Sequence, residues 1–240
     1  ATSNGSLMTP ELGQAGALGT GALAVSGSAG LGFGFDGTVA NAISLAATAT
    51  LDTGAHAVTL SGALSGSGGI AKAGSGTLTL SQANSFSGGT QLQAGTIALA
   101  NAAALGTGGV SFTGSAGLSF GGAYTLGNAM TLASGATATL DTGAYGVTLA
   151  GTLSGDGALA KTGAGTLTLS GANSFTGGTT LAGGTLAVSS SSALGTGALT
   201  FAQSGTLAVG GAFSIANAMT LASGATGTVE TGANAVTLAG

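Results

Sequence analysis

The chain has 240 residues, 50 of them Gly, with 3% charged residues, one Pro, one His and no Cys or Trp. Lys plus Arg is 2 against 6 Asp plus Glu, a formal net charge of -4; so few cations exclude a nucleic-acid-binding face, and a chain without Cys has no disulfide framework or thiolate metal site. Gly does not recur at every third position, which excludes collagen, and Gly, Ser or Thr breaks every apolar stretch short of the roughly 20 residues a spanning helix needs.

Residues 1–16 read as a lead segment. No basic-then-apolar leader follows Ala1. Asn4-Gly-Ser6 has the form of a glycosylation sequon. Thr9-Pro10-Glu11 resembles a helix start, so any helix is expected to be a short turn near Thr9 to Gln14.

From residue 17 the sequence repeats. Ala-Leu-Gly-Thr-Gly begins at Ala17, Ala104 and Ala193, and an Asp/Glu-Thr-Gly-Ala segment at Asp52, Asp141 and Glu230. Gly-Thr-Leu-Thr-Leu-Ser fills Gly76 to Ser81 and Gly165 to Ser170, and Ala-Asn-Ser-Phe fills Ala83 to Phe86 and Ala172 to Phe175, with the same offset in both cases. The organisation is a first repeat at 17–103, a second at 104–192 and a third, incomplete, at 193–240, all expected to form one continuous solenoid. The third copy stops mid-unit, which reads as an excised piece of something longer. The first copy, Leu45 to Leu51, lacks a Ser-Gly pair present at Leu132 to Leu140 and Leu221 to Val229. Ser-Gly is a turn signal, so the loss is expected in a loop, with the flanking strands left in register.

Within each copy, leucines alternate with small or polar residues, the period of a half-buried strand. Leu167 and Leu169 share a face, as do Val147 and Leu149, Leu186 and Val188, Leu199 and Phe201, and Leu207 and Val209. Turns such as Ser154-Gly155-Asp156-Gly157 separate short strands. Short strands between Gly turns suit a sandwich, a barrel or a solenoid. The repeat decides for the solenoid, because each unit can bury its open face only against its own copy. The expectation is an all-β solenoid of about 8 to 11 coils, three short strands per coil and roughly 22 to 30 residues per coil.

The run from Gly157 through Lys161, Gly163, Gly165 to Ser170, Asn173, Phe175 and Gly184-Thr-Leu resembles the passenger-associated repeat of bacterial autotransporters, and Gly69 to Ile97 is a second such run. The Lys-x-Gly-x-Gly-Thr-Leu-x-Leu core carries the resemblance. Phe86 and Phe175 stand where the family often has Tyr. The resemblance implies a right-handed parallel β-helix exported across the outer membrane. It also implies a membrane translocator elsewhere in the parent chain. These repeats are associated with passenger folding and secretion rather than with one activity.

No catalytic, cofactor-binding or metal-binding residue is assigned. His56 corresponds to Tyr145 and Asn234 in the other copies, the variability of an exposed turn. A Ser–His–Asp triad through Asp52 has the residues by count but no nucleophile elbow. Asp52, Asp141 and Glu230 are expected to accept backbone N–H bonds in their own turns rather than to share a metal. Lys72 and Lys161 are expected on the coil surface. Asn84 and Asn173 are expected in structural roles, either buried or in turns. Thr77 and Thr79, Thr137 and Thr139, and Thr166 and Thr168 form outward Thr-x-Thr pairs. These fall on too few coils for an ice-binding face.

The chain is therefore expected to be no enzyme and to bind no cofactor. It is expected to be a structural and adhesive rod at the bacterial surface, meeting partners by self-association or on host or matrix surfaces. It would bind no nucleic acid and insert no segment of its own into a membrane. The alternative is a spacer or extracellular fibre subunit built by end-to-end or lateral stacking.

Overall fold

The computed structural model describes residues 2–3 and 11–240. The Asn4 sequon and the Thr9-Pro10 pair lie outside the described residues. Glu11–Leu12 is a short strand, and a single 3-10 turn follows at Ala15–Leu18, just past the expected place.

The rest is parallel β-structure wound into about eleven turns, with compact units at 1–118 and 119–240. In the first unit, Leu23–Val25, Ile43–Leu45 and Leu64–Ser65 stack in parallel on one side. Ala29–Phe33, Ala49–Asp52, Ile70–Ala73, Thr90–Leu92 and Val110–Phe112 stack on a second. Gly37–Val39, Ala57–Leu60, Thr77–Leu80 and Thr96–Leu99 stack on a third. The second unit is built alike. There Gly146–Leu149, Thr166–Leu169, Thr185–Val188, Gly205–Val209 and Gly227–Glu230 form one ladder. Thr137–Asp141, Ala158–Thr162, Thr179–Leu181, Leu199–Phe201 and Met219–Leu221 form another.

Alternation decides which residues enter the coil. Leu31, Leu51, Lys72, Leu92 and Phe112 follow one another in register along one interior row. Leu149, Leu169, Val188 and Val209 make another in the second unit. These aliphatic side chains are almost wholly buried, and each contributes on the order of 2 kcal/mol through removal from water. Thr59 and Thr79 point outward between them and stack on each other.

Most coils are shorter than expected, and only the longest fall within the expected span. The short step from Thr77 to its partner Thr96 and the long one from Met130 to Leu153 bracket the observed registers. Strands are short throughout, and corners are tight because Gly takes positive φ at many of them. The Ser-Gly loss behaves as expected. The step from Ile43 to its partner Leu64 is shorter than the step from Met130 to Leu153 by one such pair. The added pair is Ser134-Gly135, which lies between the strands Met130–Leu132 and Thr137–Asp141.

One side of the Ala83–Phe86 coil, and likewise of Ala172–Phe175, carries no regular strand. Phe86 and Phe175 are fully buried there. The Ala-Leu-Gly-Thr-Gly turn of the next coil closes over each ring. Gly106 and Gly195 have φ of 66° and 62°, and an added Cβ would overlap the carbonyl oxygen of Phe86 or Phe175. Here Gly is required both by backbone conformation and by space.

Thr90 and Thr179 occupy the same place in the two repeats and point inward. Thr90 stands between Ile70 and Val110, and Thr179 between Leu159 and Leu199. Both hydroxyls are buried with no hydrogen-bond partner. A buried, unpaired hydroxyl costs on the order of 1 kcal/mol or more. Thr90→Val and Thr179→Val are therefore expected to stabilise the fold by about 1 kcal/mol each, read as a raised urea midpoint with an unchanged m-value. A lowered midpoint would mean that the hydroxyls are satisfied.

Candidate functional site

The polar residues that enter the coils form two kinds of cage, each present in both repeats. The first is built on Lys. Lys72 lies in Ile70–Ala73 with the inward parity of Ile70, and Lys161 lies in Ala158–Thr162 with that of Leu159. Both are 0% exposed. This corrects the surface position expected from sequence. The strand phase turns each side chain into the interior row, and its stem packs there in a leucine's place, between Leu51 and Leu92 or between Leu140 and Leu181.

The ammonium then reaches a corner where carbonyls converge. Lys72 Nζ donates to Ala73 O at 2.7 Å, Gly74 O at 2.8 Å and Ala94 O at 3.4 Å. Lys161 Nζ donates to Thr162 O and Gly163 O at 2.7 Å, to Gly183 O at 3.3 Å and to Thr142 Oγ1 at 2.9 Å. Each lysine thus ties its own corner to the corner of the next coil. The Gly residues of the Lys-x-Gly-x-Gly core are what let the chain turn tightly enough to aim those carbonyls inward.

Burial lowers both lysines from the ordinary 10.5 to about 8, while the nearby Asp52 or Asp141 carboxylate pulls the other way. Between about pH 8 and pH 10.5 the unfolded chain therefore binds more protons than the folded one, so stability rises with pH across that window. The urea midpoint is expected to climb from pH 8 to pH 10, and the climb should vanish in the Lys72→Met/Lys161→Met double variant. A midpoint that falls over this range in the unaltered chain would contradict the burial of the charge.

Asp52 and Asp141 behave as turn formers. Asp52 Oδ1 accepts from Gly54 N at 2.8 Å, and Asp141 Oδ1 from Gly143 N at 3.0 Å. Asp52 and Glu11 also line an open depression of about 260 Å3 over Gly32 and Gly54. His56 is part-exposed and pairs with Asp36 rather than Asp52, Nδ1 to Oδ1 at 3.5 Å, while Asp36 Oδ1 also accepts from Ala57 N at 2.7 Å. Asp156 Oδ1 accepts from Thr176 Oγ1 at 3.1 Å, one coil on.

The second cage is built on Asn. Asn84 Oδ1 accepts from Leu64 N at 2.8 Å, and its Nδ2 donates to Ala104 O at 2.6 Å. Asn173 repeats this with Leu153 N at 2.8 Å and Ala193 O at 2.6 Å. The side-chain amide serves as a peptide rung between the coils below and above, at the place where the strand is interrupted. Asn41 and Asn217 do related work that the sequence reading did not find. Asn41 Nδ2 donates to Gly19 O and Gly21 O, and Asn217 Nδ2 to Gly195 O and Gly197 O. Both thus hold an Ala-Leu-Gly-Thr-Gly turn from one coil further on. The signal available was the spacing, since Asn41 and Asn217 stand equally far beyond Gly19 and Gly195, by about one coil.

Among the described residues, no helix is long and apolar enough to cross a membrane. No curated protein and no solved structure matches the chain. The passenger-associated-transport-repeat model matches residues 70–99 and 159–188. These segments contain Lys72 and Lys161, the buried Phe86 and Phe175, and the Asn84 and Asn173 rungs. Two such repeats, each knitted into a parallel β-solenoid by the same lysine and asparagine cages, are what the chain has in common with autotransporter passengers.

Proposed function

We propose that the chain is a structural and adhesive part of the passenger, exported across the outer membrane by a translocator elsewhere in the parent protein. At the cell surface it supports adhesion, self-aggregation or biofilm. What supports the reading is the side the coils turn outward. With both lysines buried, no cationic Lys or Arg remains on the surface, and six carboxylates are the only formal side-chain charges left there in a 240-residue chain. The outward ladders are mostly Thr, Ala and Ser, such as Thr59 on Thr79, Thr180 on Thr200 and Ser44 on Ser65, and Thr220 Oγ1 bonds Thr200 Oγ1 at 3.0 Å. Such flat, weakly charged sides repel one another little and offer hydroxyls to a second copy or to a polar matrix. Displaying the parent passenger on a non-aggregating bacterium should make the cells settle or bind to surfaces. Cells that neither settle nor attach would leave only a spacer role.

A further inference from the structure

We propose that the folded chain is refractory to trypsin-class proteases because both of its lysines, the only Lys or Arg residues it has, are sealed inside the coils. The full sequence holds two Lys or Arg residues, Lys72 and Lys161, and both are 0% exposed. A trypsin-class enzyme must seat a Lys or Arg side chain in its acidic specificity pocket before its serine attacks the following peptide bond. Neither lysine can be offered without dismantling the fold around it. Ile70–Ala73 is paired on both sides, with Ala49–Asp52 and with Thr90–Leu92. Ala158–Thr162 is likewise paired with Thr137–Asp141 and Thr179–Leu181. Withdrawing either ammonium also strips the donor from corner carbonyls of two successive coils.

Cleavage therefore proceeds only through states in which the lysine-bearing coil has opened, and its rate follows the population of those states. In the open chain the scissile bonds are Lys72–Ala73 and Lys161–Thr162. Water adds hydroxyl to the lysine carbonyl carbon and a proton to the departing amine, giving 1–72, 73–161 and 162–240. Folded chain is thus spared by such enzymes, and chain whose lysine-bearing coil has opened is cut. This is independent of adhesion and holds whether or not displayed cells settle.

The test separates buried cations from a merely stiff backbone. The chain is digested folded, and again held unfolded in urea, with trypsin activity in urea corrected on a small peptide substrate. Alongside runs Ala144→Lys, which places a lysine on an exposed turn. Cleavage of the folded unaltered chain is expected to be at least roughly a thousandfold slower than of the unfolded chain, which gives the three fragments. Folded Ala144→Lys is expected to be cut after residue 144 while Lys72 and Lys161 stay intact. Cutting of the folded chain after Lys72 or Lys161 at a rate within about tenfold of the unfolded chain would overturn the proposal. So would an Ala144→Lys variant that survives as long as the unaltered chain, since stiffness and not burial would then be the protection.

Discussion

Asn173→Ala is expected to destabilise the fold by about 3 kcal/mol, and Asn84→Ala by a similar amount. The alanine loses two hydrogen bonds at once and leaves both former partners, the Leu153 N–H and the Ala193 carbonyl, buried without a replacement. Orphaning a buried backbone group costs about 1–3 kcal/mol each, well above the loss of an exposed side chain. Asn is needed because only an amide presents an acceptor to the coil below and a donor to the coil above. Asn173→Asp keeps the acceptor, turns an oxygen toward the Ala193 carbonyl and buries a charge. It should therefore be at least as damaging at neutral pH and partly recover under acid, when the carboxyl gains a proton to donate. Urea unfolding of the three variants checks this. An Asn173→Ala variant within about 0.5 kcal/mol of the unaltered chain, the error of such measurements, would mean that the rung carries little of the stacking energy.

Lys161→Met is the second large effect. The methionine fills much of the same interior row between Leu140 and Leu181, so little cavity is left. What is lost is the donor to Gly163 O and Gly183 O. Thr162 O keeps Thr142 as a donor, through N and through Oγ1, both at 3.2 Å. Two orphaned carbonyls would cost about 2–4 kcal/mol. Removing a charge that burial already disfavours returns part of that. The net expectation is a loss of about 2 kcal/mol, and about twice that for Lys72→Met/Lys161→Met, because the two cages share no partner. Lys161→Arg should do worse than its charge suggests, since a planar fork does not fit a corner shaped for one compact ammonium. A methionine variant more stable than the unaltered chain in urea unfolding would show that the lysine is tolerated rather than used.

The repeat and its period-2 leucines made the solenoid legible, down to the lost Ser-Gly pair that shortens one connection without disturbing its strands. Coil length was less legible. It depends on how sharply Gly corners turn and on the Asn-bearing side that dispenses with a strand, neither of which alternation reports. The lysines are the instructive case. Lys72 shares the parity of Ile70 and Lys161 that of Leu159, so the same alternation that placed the leucines also placed the lysines inside. Their charge argued for the surface, and what outweighed it was the ring of carbonyls completed by a corner of the next coil. The Asn rungs were hidden for the same reason, since each side chain answers to backbone groups one coil below and one coil above. His56 was legible as a turn residue, whereas its pairing with Asp36 again comes from the adjacent coil.

The central claim is parallel stacking in the observed register, and spin labels test it directly, because the chain has no Cys of its own. Thr168, Ala187 and Ala208 follow one another along an outward row of the second unit. Labels on Thr168→Cys/Ala187→Cys should lie one strand spacing apart, about 5 Å, and give strong dipolar broadening. Labels on Thr168→Cys/Ala208→Cys should lie about 10 Å apart and broaden far less. Broadening absent from the first pair, or stronger in the second, would contradict the stacked-coil account.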